Sequence, residues 1–199
     1  MYYSLMDTRL YMFKQFTVRE ISVAAGLSAL SIITQLIHIG YQSPQWGMWV
    51  DIVAVSWFIA YFLFGLQLSL LVSLVGAVMI TIFAPETWLG AGMKWIASVP
   101  ILFSFGLMAF MMRKTFHQYR NILFLSVPLL CGILVRCLLV VPLNYYVAIP
   151  LWTGMTTALA IKTIPWFIIV LFNVVQGLLD VTLAWIIVYK FKLNRFIKK

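Results

Sequence analysis

Charge is what this sequence has least of. Lysine, arginine, aspartate and glutamate make up 10% of its 199 residues, against 64% hydrophobic, whereas an ordinary soluble domain is about 25% charged. So little polar surface cannot cover a fold bathed in water. The chain reads as an integral membrane protein, one domain over 1–199, with no polar block long enough for a second. Histidine is limited to His38 and His117, predicted on opposite sides of the membrane, so no zinc or iron ligand set is expected. Serine nucleophiles lack a histidine partner. Only Asp180 lies deep in a span, which excludes the paired aspartates of an intramembrane protease. No glycine-rich phosphate loop occurs, so the chain is not expected to use ATP itself. The two cysteines, Cys131 and Cys137, share one apolar run. Their offset suits helical neighbours poorly, so two buried free thiols are expected, not a disulfide. Asp7, Arg9, Lys14, Arg19 and Glu20 interrupt the first twenty residues, a pattern that does not predict a cleavable signal peptide.

What the chain does have is hydrocarbon in runs. Crossing a bilayer takes about 20 apolar residues. The runs predict an all-α polytopic membrane protein, a six-transmembrane-helix bundle with helices at about 19–39, 50–64, 68–84, 93–112, 122–147 and 164–190. Glycine and proline punctuate it: a loop from Gly40 to Gly47, a tight turn at Gly65, "APETWLGAG" at 84–92, and a longer connection at 149–165. Pro100 and Pro128 predict kinks that neighbouring helices tolerate. With a cytoplasmic N-terminus, eleven of the fourteen basic residues fall inside: Arg9, Lys14, Arg19, Arg113, Lys114, Arg120, Lys190, Lys192, Arg195, Lys198 and Lys199. Lys94 and Lys162 fall outside, and Arg136 lies within a span. The positive-inside rule therefore predicts both termini in the cytoplasm and a multi-pass protein of the plasma membrane. The net charge of +9 then reads as topology and contact with the lipid bilayer, not as nucleic-acid binding. In this orientation Trp46, Trp49, Trp88, Trp95, Tyr145, Tyr146, Trp152 and Trp166 face outward, with Asp51, Glu86 and Lys94 among them. An interfacial aromatic belt accounts for Trp88 and Trp152; the Asn144–Tyr146 group is more polar than a belt requires.

Polar residues inside spans are costly and are functional candidates. Arg136 lies about 21 Å and Asp180 about 15 Å from the inner ends of their helices, at 1.5 Å per residue, so a structural ion pair between them is expected. Asn173, Gln176 and Asp180 follow i, i+3, i+7 and share one helix face. Asn144, Asn173, Gln176 and Lys94 are placed to converge on one outward-facing cavity. Gln35 and His38 lie near the outer end of the first helix. Ala25 and Ala29 share a face of that helix and suit close packing, either within the bundle or against another membrane protein. This inventory of amides, phenols, indoles and one lysine suits recognition of a planar, polar organic molecule by stacking and hydrogen bonds. It suits bond-breaking poorly, so the chain is not expected to be an enzyme and no cofactor or metal is expected.

In the order and spacing of these residues the chain resembles the substrate-binding S-components of energy-coupling factor (ECF) vitamin transporters over nearly its whole length, most closely the riboflavin-specific members. "TVREISVAAGLSALSII" is similar to the family's arginine followed by an Ala-x-x-x-Ala face, here Ala25 and Ala29. "MWVDIVAVSWFIAYFLFG" is similar to its second helix, with Asp51 at the start and Gly65 at the turn. "ETWLGAGMKWIASVP" carries Lys94 in the matching place, "LNYYVAIPLW" resembles the end of the fifth helix, and "FNVVQGLLDVTLAWIIVYKF" resembles the last, with Asn173 aligned. Riboflavin-specific members tend to have a lysine where this chain has Gln176. The resemblance implies a six-helix bundle that captures a small-molecule vitamin at its outer face. It then docks through Ala25 and Ala29 on a transmembrane coupling protein driven by two cytoplasmic ATPases, and topples to deliver its cargo. It implies a substrate site in which Trp49, Trp95, Tyr145 or Tyr146 stack on the ring. Lys94, Asn144, Asn173 and Gln176 hydrogen-bond its polar groups, and Asp51 orders the first outer loop. Riboflavin is the expected solute. Alternatives are another vitamin such as pantothenate and, in different classes, a small polytopic enzyme acting on lipid or a self-sufficient channel or exporter.

Overall fold

The computed structural model of the chain describes residues 16–37, 39–43, 46–84, 87–112 and 119–195. Asp7, Arg9, Lys14, His38, Glu86, Arg113, Lys114, His117, Lys198 and Lys199, named above, lie outside the described residues.

Helix α1 (Val18–Leu36) begins at a capping box. The Thr17 hydroxyl accepts from the Glu20 N–H at 3.2 Å, and the Glu20 carboxylate accepts from the Thr17 N–H at 2.9 Å, so two orphan donors of the first turn are satisfied reciprocally. A β-hairpin follows, β1 (Gly40–Gln42) against β2 (Trp49–Asp51), in register Gly40↔Asp51, Tyr41↔Val50 and Gln42↔Trp49. Then come α2 (Val55–Phe64), α3 (Leu66–Phe83), α4 (Trp88–Met111), α5 (Ile122–Thr153), the short α6 (Thr157–Thr163) and α7 (Trp166–Lys190). Gly65, with φ of 90°, makes the turn between α2 and α3 in a conformation open to glycine. The helices alternate up and down, so the hairpin, the α3–α4 connection and α6 gather at one end of the bundle.

Four of the described helices, α3, α4, α5 and α7, are long and apolar enough to cross a membrane. The other two predicted spans take a different form. In α1 the buried positions are Ala24, Ser28, Ser31 and Thr34, while Ile21, Leu30 and Ile33 are exposed. Its small, polar face packs inward, Ser28 donating to the Val72 carbonyl of α3 at 3.3 Å, and its apolar face turns out. Helix α2 has ten residues, of which nine are buried. At 1.5 Å per residue it covers about 15 Å, half of a hydrocarbon core about 30 Å thick. It is the central helix, packed against α1, α3 and α7, as all-round apolarity requires.

Several sequence boundaries are corrected. Residues 50 and 51, predicted in the second helix, belong to strand β2, and that helix starts only at Val55. The fourth starts at Trp88, not 93. The fifth does not stop at 147. It passes Pro142 and Pro150 through a wide π turn, Asn144–Ala148, in which the Ile149 N–H reaches the Asn144 carbonyl five residues back. The connection predicted at 149–165 is the end of α5 plus α6. Both cysteines are free, but Cys131 is exposed and Cys137 half-buried, because Cys131 lies on the outer face of α5.

Buried apolar residues form two clusters. The larger surrounds α2 and includes Ile101 of α4, Ile133 of α5 and Val181 of α7. The smaller lies at the hairpin end and includes Ala97 of α4, Val140 and Tyr145 of α5, Ala160 and Ile169. Gly132 brings α4 and α5 together: a Cβ there would lie 2.7 Å from the Ile101 Cα.

Candidate functional site

The level between the two clusters is where the deep polar residues gather. On α4, Ser98 falls between Ala97 of one cluster and Ile101 of the other. On α5, Arg136 falls between Val140 and Ile133. On α7, Asn173, Gln176 and Asp180 fall between Ile169 and Val181. The strand β2 reaches this level from the hairpin. Asp51 is 8% exposed and contacts Gln176, which lies about 15 Å along α7 from Trp166 at 1.5 Å per residue. The half-length of α2 makes this possible: the missing turns of the second span are replaced by strand. Non-helical backbone at such depth survives only where protein satisfies it or it lines a cavity.

Here protein satisfies it. The Gln176 carboxamide oxygen accepts from the Asp51 N–H at 2.9 Å, and its NH2 donates to the Asp51 carbonyl and to Asp180 Oδ1, each at 2.8 Å. The Asp51 carboxylate accepts from the Val53 N–H at 2.9 Å, two residues before α2, where the positive end of the helix dipole favours an anion. The same carboxylate pairs with Lys94 Nζ of α4, the two side chains being 13% (Lys94) and 10% (Asp51) exposed. On the other side, Arg136 Nε donates to Asn173 Oδ1 at 2.9 Å, and Asn173 Nδ2 donates to the Ile169 carbonyl at 2.8 Å. Four charged groups thus share one level, two of each sign.

Of Asn144, Asn173, Gln176 and Lys94, predicted to converge, Gln176 and Lys94 meet at Asp51 and Asn173 stands one turn along α7 at Arg136, while Asn144 does not join them. Trp49 stands two residues before Asp51 on β2, on the same face of the strand. The other predicted residues sit apart from this cluster. The Trp95 indole N–H donates to Ser73 Oγ of α3 at 3.1 Å. The Tyr145 hydroxyl donates to the Ile164 carbonyl at 2.6 Å, tying α5 to the segment before α7. Tyr146 is exposed on the outer surface with Trp88, Trp152 and Trp166. Asn144 Nδ2 donates to the Val140 carbonyl of its own helix at 2.8 Å, at the start of the π turn. Ala25 and Ala29 both lie on the exposed face of α1.

The expected Arg136–Asp180 ion pair is not formed: each is held by an α7 amide instead, Asn173 and Gln176 respectively. Ser98 was not foreseen, since a lone serine in an apolar run carries no signal. The Gln176 clamp was not foreseen either, because its partner is a strand backbone. The shared face of Asn173, Gln176 and Asp180 was the one pointer to it.

No family model matches the chain, and no curated protein matches it. Among solved structures it is similar to the S component of a bacterial ECF transporter, with a TM-score of 0.69 at 22% sequence identity. The match covers 91% of this chain and 98% of that one. The likeness is one of fold.

Proposed function

We propose that the chain is the substrate-capturing membrane subunit of an ECF-type transporter, and that its solute is riboflavin. The observation that carries this reading is the hairpin clamped into the bundle over a buried polar level. In this reading strand β2 closes one end of a solute chamber between the smaller apolar cluster and that level of amides and charges. Such a chamber suits a small organic molecule with a flat apolar body and polar edges. The fold likeness to a transporter S component over nearly the full length of both chains supports the same reading.

In this proposal the solute enters at the hairpin end when the strand lifts. The smaller apolar cluster, with Ala97, Val140, Tyr145 and Ile169, walls the chamber, and Trp49 stacks on the ring from the strand side. Asn144 and Asn173 read polar groups of the solute. Asp51, Lys94 and Gln176 act together as the latch that closes the strand over it. The hairpin end faces outward. Arg19, Arg120, Lys190, Lys192 and Arg195 are exposed at the opposite end, where anionic lipid and the positive-inside rule favour the cytoplasm. A transmembrane coupling protein with two cytoplasmic ATPases supplies the driving force, and it meets the Ala25/Ala29 face of α1.

The test is direct. Purified from cells, the protein is expected to be yellow, with the absorbance bands of a bound flavin and one flavin per chain. The Asn144→Ala, Asn173→Ala double variant is expected to come out colourless yet folded. A colourless parent that binds pantothenate tightly would replace riboflavin by that vitamin, and a parent that binds no vitamin would overturn the transporter reading.

A further inference from the structure

Burial usually forces every polar atom to find a partner, because an unpartnered one forfeits its hydration. At the level between the two apolar clusters, three side-chain atoms have none among the described residues: Arg136 Nη1, Asp180 Oδ2 and Ser98 Oγ. Arg136 is 3% exposed and Asp180 and Ser98 are fully buried. They come from three helices, α5, α7 and α4, and Ser98 lies one turn along α4 from Lys94. Arg136 and Asp180 feel each other's charge yet are held apart, because Asn173 takes Arg136 Nε and Gln176 takes Asp180 Oδ1. What remains is one cationic donor and one anionic acceptor, both turned to no protein group. Below them the bundle closes. A Cβ on Gly177 would lie 3.1 Å from Ile101 Cδ1 and 3.2 Å from Ile133 Cγ1, so α4, α5 and α7 meet there in apolar contact.

Resting on the solute-capture reading above, we propose that Arg136 and Asp180 are the innermost reading edge of the site. They take an uncharged C(=O)–NH edge of the solute, an imide or lactam. Its carbonyl oxygen accepts from Arg136 Nη1 and its N–H donates to Asp180 Oδ2, with Ser98 Oγ beside them. The charge count selects against a charged group. Asp51, Lys94, Arg136 and Asp180 sum to zero, so an anion or cation added at this depth would stand uncompensated in a medium that penalises it heavily. An uncharged edge keeps the sum and fills one donor and one acceptor at once. A buried donor–acceptor pair of this kind also rejects a look-alike that lacks the hydrogen bond, since its own groups are then left stranded.

The experiment uses the whole purified protein, with riboflavin and riboflavin methylated on its imide nitrogen, titrated by flavin fluorescence. The unmodified protein is expected to prefer riboflavin by about 100-fold. In Asp180→Asn, where the acceptor oxygen is exchanged in part for a donor of the same shape, the preference is expected to fall to within about 3-fold, a loss confined to the N–H partner. The ligand comparison needs no variant, so it stands even where Asp180→Asn folds poorly. Equal binding of the two flavins by the parent overturns the reading edge while leaving the transporter proposal intact; the orphaned atoms then hold water only. A parent that ignores riboflavin but binds anionic pantothenate in an Arg136-dependent way, with affinity lost in Arg136→Gln, also overturns it. Binding of neither solute overturns the reading edge, and binding of no vitamin at all overturns both proposals.

Discussion

Gln176 makes three hydrogen bonds with one primary amide, two of them to the backbone of a single residue, Asp51. A lysine at this position has no acceptor and leaves the Asp51 N–H unanswered, which is a physical reason for an amide here. Replacing Gln176 by leucine keeps the volume and strands an N–H and a C=O at mid-bundle, at a cost of about 1–3 kcal/mol for each group left unsatisfied. The cost falls on the attachment of β2, not on the helices. Amide hydrogen exchange over residues 50–53 of Gln176→Leu is therefore expected to quicken by roughly 10- to 100-fold, with α3 and α4 unchanged. Uniform quickening across all helices would mean that Gln176 supports the whole core and is no latch. The Lys94–Asp51 pair is the second half of the attachment. Lys94→Met leaves a carboxylate buried without its cation, which typically costs about 3–5 kcal/mol. Adding Asp51→Asn to Lys94→Met is expected to recover part of that loss in thermal unfolding. A double variant no better than the single one would show that the pair carries no coupling.

At the scale of elements, the sequence conveyed helices and concealed their interruptions. The apolar runs of α3, α4, α5 and α7 are long enough for composition alone to mark them. The hairpin is not: each strand has three residues, too few for alternation to register, and the apolar "MWVDIVAV" runs straight into α2. The segment 149–165 reads in sequence as a connection bounded by prolines, since an interior proline loses a bond and crowds the carbonyl four residues back. The π turn at Asn144–Ala148 widens the helix just before Pro150 and lets it continue. Hence the polar trio Asn144, Tyr145 and Tyr146, which in sequence looks like one recognition group, fans out around that turn: one amide on its own helix, one phenol tied to Ile164, one facing out. Glycine placement separates packing from surface in the same way. Gly132→Ala puts a methyl 2.7 Å from the Ile101 Cα, where backbone must yield. It is expected to lower the Tm in detergent by about 2–12 °C, the range that overpacking costs of about 1–3 kcal/mol imply. Gly26→Ala, with nothing within 4 Å, is expected to leave the Tm unchanged or raise it, as alanine favours a helix. If the two variants melted alike, the close α4–α5 contact would not be what Gly132 is for.

On the scale of the whole molecule, the distribution of polarity is inverted relative to a soluble protein. Its charges are few, and among the described residues four of them are gathered at mid-depth, while the exposed sides of α3, α4, α5 and α7 are largely hydrocarbon. Lipid tails solvate leucine as well as protein does, so exposed leucines on α5 are no sign of a partner. The exposed face of α1 differs in kind: Ser22, Ala25, Gly26 and Ala29 leave its backbone open, the condition for close helix approach in a bilayer. Sequence alone left this face divided between internal packing and an external partner. In the structure the inward side of α1 is supplied by Ala24, Ser28, Ser31 and Thr34, and Ala25 and Ala29 are exposed, turned away from the described helices of the bundle. Under the proposed function they meet the coupling protein. Filling the groove with Ala25→Phe and Ala29→Phe together is then expected to leave flavin affinity within about 2-fold, because the site lies on the far side of α2. Uptake into cells is expected to fall by at least about 10-fold, the effect of losing roughly 1.4 kcal/mol of assembly free energy. Leu134→Phe on the exposed face of α5 adds similar bulk to lipid-facing surface and is expected to change neither quantity. Uptake undiminished in the α1 double variant, with the protein present in the membrane at parental levels, would move the docking surface to another face of the bundle.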